Sequence, residues 1–192
     1  MSQLRLPVSA RDHMLGSPDE AAVTLVEYGD YECPYCGLAQ ETVRGLVDAL
    51  GDQLCLVFRH FPLTQVHPHA LHAAEAAEAA AAQGAFWPMH ELLYERQERL
   101  DDESLIEYAA ELGLDMDRFA DELAAHVHES RVREDFMGGV RSGVNGTPSF
   151  FINGELYRGS YDLESMMAAL GPVAAAPRPG AGKRGPARRP PL

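Results

Sequence analysis

The sequence predicts an α/β fold whose single sheet is interrupted along the chain by a wholly helical segment. Three observations lead there. A β-rich run, a helix and a second β-rich run succeed one another early, helical patterns alone fill the middle, and β patterns return around a tight turn near the end. With 192 residues, 46% of them hydrophobic, the chain can bury one real core.

Each element has its own signal. Residues 22–27 ("AVTLVE") read as a buried strand, followed by "EYGDYECPYCGLAQ" at 27–40. A helix over 34–50 presents Leu38, Val43, Leu46 and Leu50 on its apolar face and stops at Gly51. Residues 54–61 ("LCLVFRHF") form the next strand, completing a right-handed βαβ unit with parallel strands. Helices are then expected over 67–83, with Pro68 near the start and Gly84 past the end, and over 86–99, 103–112 and 117–142. In the last of these, Phe119, Leu123 and Val127 recur every four residues. Residues 149–152 and 155–158 flank Asn153-Gly154, the strongest short hairpin signal. Asp162 caps a final helix through Leu170, which Gly171 and Pro172 end. The parts are thus 1–62, a helical insertion at 63–142, a closing β-hairpin and helix at 143–171, and a basic tail at 172–192. The tail has too few large apolar residues to offset its ordering entropy and reads as disordered.

Composition narrows the function. The formal charge is −13, and the tail holds Arg178, Lys183, Arg184, Arg188 and Arg189 without an acid, leaving −18 on the rest. So acidic a body repels phosphates, which argues against nucleic-acid binding. No run of eighteen apolar residues exists and the start lacks a secretory pattern, so the expectation is a cytoplasmic protein without membrane insertion. Three cysteines do not make a disulfide framework.

The Cys33-Pro34-Tyr35-Cys36 stretch therefore reads as chemistry. Cys33 sits at a helix mouth, where unpaired N–H groups and the helix dipole favour a thiolate, with Pro34 at the first helical position. Its pKa should fall below about 8.5, within the roughly 3.5 to 7.5 known for such thiols. Cys36, one turn inward, is within bonding range. Cys33, at the exposed end, would attack a substrate disulfide, and Cys36 would resolve the mixed disulfide. The Cys33–Cys36 disulfide stores the two electrons itself, so no cofactor is expected.

Other readings compete for these residues. Zinc needs four ligands, so the one CxxC would need two histidines or Cys55 plus a histidine, but His67, His69 and His72 lie in the helical segment and His126 and His128 on different helix faces. The βαβ setting favours redox chemistry, and no metal site is assigned. Cys55 reads as a small buried hydrophobe. Glu27, at the strand end six residues before Cys33, is either a buried proton carrier for Cys36 with a raised pKa or an acid in water. Arg59 and His60 either border the active surface or are simply solvated, "HPHALH" at 67–72 reads as a helix start with metal binding second, and Phe86, Trp87 and Met89 as packing between insertion and core.

Several motifs in order give a resemblance: "CPYC" at 33–36, "FRHFPL" from Phe58 and Arg59 onward, "HPHA" at 67–70, "FWPMH" at 86–90 and "GVNGTPSFFING" at 143–154. From about Val8 to Leu170 the chain resembles the DsbA-like thiol–disulfide oxidoreductases, including domains found fused to sodium/proton antiporters. The resemblance implies a thioredoxin-like fold with an inserted helical domain, Glu27 as the buried acid, and Thr147-Pro148 as a cis-proline loop facing the cysteines. The residues alone favour a trans bond there. It also implies that Thr147 and Pro148, with Pro34 and Tyr35, form the platform on which an extended polypeptide substrate pairs, and that a separate redox partner resets the dithiol. Strongly oxidising members carry Pro-His between the cysteines. Pro34-Tyr35 predicts a less oxidising pair, resting reduced in the cytosol and acting as a reductase or isomerase. Two rivals are a non-catalytic redox sensor and a glutathione-dependent isomerase of the same fold; the latter commonly carries serine near the Cys33 position.

Overall fold

Strand β2, Val23–Gly29, and strand β3, Leu54–His60, pair in parallel across helix α1, Pro34–Leu50, in a computed structural model that describes residues 2–174. A short strand β1, His13–Leu15, adds antiparallel to β3, and β4, Ser149–Ile152, and β5, Glu155–Leu156, close the other side. The sheet order is β1-β3-β2-β4-β5. Alternation sorts the side chains. Val23, Leu25, Leu54 and Leu56 pack with Val43, Leu46 and Val47 of α1, while Val26, Tyr28, Cys55 and Val57 fill the opposite face. Glu27, two residues beyond Leu25, is thereby aimed beneath α1.

Helices α2 (Ala70–Ala81), α3 (Phe86–Glu95), α4 (Asp102–Glu111), α5 (Met116–Ala124) and α6 (Glu129–Ser142) lie between β3 and β4 in the chain. They share a core of alanines from α2 with Leu93, Leu105, Tyr108, Phe119 and Val132. Trp87 touches both this core and that of α1, as its reading as packing requires. Helix α7 runs over Leu163–Ala174, with Asp162 accepting from the Ser165 N–H at 2.9 Å.

Several boundaries differ from expectation. Helix α2 begins at Ala70, not 67, and α7 continues past Gly171 and Pro172 to Ala174; the rest of the basic tail lies outside the described residues. The helix expected over 117–142 is two. In an unbroken helix Leu123 and Val132, nine residues apart, would face about half a turn away from each other. Both are buried, and the chain reconciles them by turning at His126, which adopts φ 52°, leaving Val127 exposed. Leu38 is also exposed, because the buried stripe of α1 runs through Cys36, Gln40, Val43 and Val47 instead. The hairpin turn matches its signal, with Asn153 at φ 49° and Gly154 at φ 85°.

Arg59 and His60 are not solvated: they are 0% and 1% exposed. The cause is β1, whose three residues carry little β signal yet turn β3 into an interior strand. The Arg59 guanidinium binds Asp12 twice, at 2.7 and 3.1 Å, and donates to the carbonyls of Leu6 and Pro7 and the Tyr28 hydroxyl. On the other face of β3, His60 and His13 both hydrogen-bond Glu78 of α2, at 2.9 and 2.8 Å, and so dock the insertion on the sheet. Removing one partner of a buried ion pair strands the other charge. Asp12→Ala is expected to cost about 3–5 kcal/mol in urea unfolding; a loss under about 1 kcal/mol would contradict this account of Arg59.

Candidate active site

The sequence from Asp30 to Cys36 builds the helix mouth. Cys33 is the residue preceding α1, with extended backbone (φ −75°, ψ 119°), and Pro34 occupies the first turn, where a missing N–H costs nothing. The Cys36 and Gly37 N–H groups bond the Cys33 carbonyl at 3.0 and 3.2 Å, which seats the second thiol one turn in. Gln97, beyond α3, ties the mouth to the insertion by donating to the Tyr31 and Cys33 carbonyls at 2.7 and 3.0 Å. A side chain on residue 37 would meet the Gln97 amide oxygen at 2.1 Å and would displace that amide from the helix mouth.

The thiols differ as nucleophile and resolver should. The Cys33 pKa is lowered from 9.0 to about 5, first by the Cys36 thiol donating to its sulfur; burial opposes this, and the Thr147 side chain and the Cys36 and Tyr35 N–H groups assist. Helix-end N–H groups, the cause expected from sequence, are thus a secondary contribution. Cys36 is pushed well above its ordinary value by burial, by its hydrogen bond to Cys33 and by the Glu27 charge. Cys33 is only 4% exposed, less open than its place at the helix mouth suggests, because the loop at Thr147 covers it. Its sulfur lies 3.4 Å from the Thr147 carbonyl oxygen, to which the protonated thiol donates. The Thr147–Pro148 bond is cis. Tyr35, 62% exposed, and Leu38, 72% exposed, offer apolar surface beside the pair.

Glu27 is buried, not a strand-end acid in water. Burial raises its pKa from 4.5 to about 8, offset in part by Gln40, whose side-chain N–H donates to it at 3.2 Å. Gln40 is a partner that sequence reading missed, although it follows Cys36 by four residues on the buried stripe of α1. Tyr94 was missed too. Its buried hydroxyl has no hydrogen-bond partner among the described residues and is kept protonated by burial and by the neighbouring acids Cys36 and Glu27.

The "HPHA" segment does more than begin a helix. Asp30 accepts from the Leu63 N–H at 2.8 Å and pairs with His67 Nδ1 at 2.7 Å. Burial opposes charge on His67, but Asp30 and the negative Cys33 outweigh it and raise its pKa. By reciprocity a protonated His67 favours the Cys33 thiolate from outside the helix.

A parallel βαβ unit with a dithiol at its helix mouth and a cis-proline loop across from it is the thioredoxin-like architecture, here with a helical insertion. Residues 9–171 match the family model described as Thioredoxin, and the chain belongs to that family. Among solved structures it is similar to a thioredoxin-like oxidoreductase from Silicibacter pomeroyi, at 31% identity and TM-score 0.76, covering 88% of this chain and 95% of that one. BdbD from Bacillus subtilis shares the fold, with TM-score 0.77 at 21% identity over 86% of this chain and 94% of that one. Among curated proteins it is 50% identical over 168 residues to the Na(+)/H(+) antiporter NhaA 1 of Salinispora arenicola, covering 87% of this chain and 26% of that protein. The chain spans about a quarter of the length of the curated relatives it matches. Among the described residues no helix is long and apolar enough to cross a membrane.

Proposed function

We propose that the protein is a thiol–disulfide oxidoreductase acting on polypeptides, working in the cytosol as a reductase or isomerase. The observation that carries this reading is the opposed pair of thiol acidities: Cys33 drawn down to about 5 while Cys36 is raised. The Cys33 thiolate attacks one sulfur of a substrate disulfide, forming a mixed disulfide and releasing a substrate thiolate. Cys36 then gives its proton to the Glu27 carboxylate and attacks the Cys33 sulfur. The second substrate thiolate leaves, the Cys33–Cys36 disulfide forms, and two electrons have passed to the substrate. A carboxyl titrating near 8 exchanges that proton in either direction around neutral pH. The Thr147 backbone beside the Cys33 sulfur, with Pro148, Pro34 and Tyr35, supports an extended chain pairing as an added strand. A separate dithiol or disulfide partner resets the pair.

Insulin reduction with dithiothreitol tests the reading: catalysed precipitation is expected, and no acceleration would refute it. The reduction potential, read from equilibration with glutathione, is expected between about −120 and −270 mV. A value more oxidising than that range would overturn the reductive direction.

The 50% identity with part of an antiporter favours one second reading. In it the dithiol gates docking to a sodium/proton antiporter and turns over no substrate. Redox-dependent binding without insulin reduction would select it.

A further inference from the structure

The helical insertion carries a second set of chemically capable side chains that the dithiol reaction does not use. His72 and Glu75 stand one turn apart on α2, and His126 meets them from the turn between α5 and α6. One ligand atom from each lies within 4.8 Å of the other two. His126 Nδ1 is 3.0 Å from Glu75 Oε2, and the His72 and His126 ring centroids are 4.9 Å apart. The second oxygen of Glu75 is the informative atom. Glu75 is 1% exposed, and its Oε1 is buried without any hydrogen-bond partner. Of the four buried side-chain atoms so orphaned among the described residues, it is the one carboxylate oxygen. An unsatisfied group of this kind costs about 1–3 kcal/mol and calls for an occupant.

We propose that His72, Glu75 and His126 form a binding site for a divalent transition-metal ion of the zinc type. Two imidazoles and one carboxylate are a donor set suited to zinc, whereas calcium and magnesium prefer oxygen throughout. Zinc bonds of about 2.0–2.2 Å require the ligand atoms to readjust, which the exposed His126 and half-buried His72 rings can accommodate. The surroundings are those of a ligating histidine. Asp102 Oδ1 lies 2.7 Å from His72 Nδ1 and receives its proton, which leaves Nε2 with the lone pair. His72 also borders an open cleft lined by Pro68, His69, Asp101 and Asp102, and water would complete a three-ligand zinc site. Bound there, the ion would join α2 to the α5–α6 turn and brace the insertion.

The thiols must be silenced in the test, since a reduced dithiol also binds zinc. The full chain in its Cys33–Cys36 disulfide form is titrated with Zn²⁺ by calorimetry, and Co²⁺ absorption reports the ligand types. One equivalent should bind and raise the Tm, with d–d bands and no thiolate charge-transfer band. His72→Gln and His126→Asn should each weaken binding at least about tenfold; both positions are at the surface, and Asn tolerates the left-handed backbone at 126. No saturable binding, binding unchanged in both variants, or a thiolate band pointing to Cys55 would overturn the site.

Discussion

Cys33→Ser is expected to reduce disulfide exchange to background, while Cys36→Ser keeps the first half-reaction and stalls at the mixed disulfide. The asymmetry follows from the two sulfurs' surroundings. Cys33 carries the anion, beside the Thr147 backbone where a substrate strand would lie. Cys36 is fully buried and protonated until a neighbour takes its proton. Removing the nucleophile leaves nothing to open a substrate disulfide; removing the resolver leaves nothing to release it. Trapping in cells with the Cys36→Ser variant, followed by mass spectrometry, should show Cys33 joined to polypeptides. Adducts on Cys36 in the Cys33→Ser variant, or none in either, would contradict the division of labour. Cys36→Ser also removes the thiol that contributes most to lowering the Cys33 pKa. Alkylation of Cys33 should then shift to higher pH, stopping short of ordinary thiol behaviour because Thr147 and the backbone N–H groups remain.

Glu27→Gln should separate stability from turnover. The folded pKa of Glu27 is raised from 4.5 to about 8, so between those values the folded protein holds a proton that the unfolded chain has released. Stability from this group is full below about 4.5 and falls as pH rises toward 8. Glutamine does not titrate. The variant should match the wild type near pH 4 and exceed it near pH 9 by a few kcal/mol as an order of magnitude, measured on the disulfide form so that neither active-site thiol contributes. Resolution of the mixed disulfide should slow by about 10²-fold at neutral pH, because Cys36 has lost its proton acceptor in a site without bulk water. Unchanged turnover with the same stability profile would leave Glu27 a buried acid with no part in proton transfer.

Much of this molecule was legible in local pattern. The continuous β-rich runs 22–27 and 54–61, the Asn153-Gly154 turn and the helix-mouth cysteines are short-range signals, and each stands within a residue or two of its expected place. The features missed depend on distant partners. His13–Leu15 is a strand only because β3 offers it an edge, and that contact buries Arg59 and His60. The break at His126 comes from the need to bury Leu123 and Val132 on one core, which four-residue spacing cannot express. In the site, the place of Glu27 before Cys33 left burial and exposure both open, and only the resemblance to the DsbA-like family implied the buried acid. Gln97, Tyr94 and the His67–Asp30 pair reach the dithiol from the insertion or its approach, so only the folded chain brings them there. The proposed metal set is illegible in sequence for the same reason: His72 and His126 lie 54 positions apart in the numbering, and Glu75 carries no ligand signal without them.

The rate of Cys33 alkylation as a function of pH, in the reduced protein, tests the central claim most directly. Its sulfur is held as an anion by the Cys36 thiol, Thr147 and the N–H groups at the start of α1, and the expected profile rises through a midpoint near 5 and is flat at neutral pH. A rate still climbing through neutral pH toward the ordinary thiol value of 9.0 would contradict it.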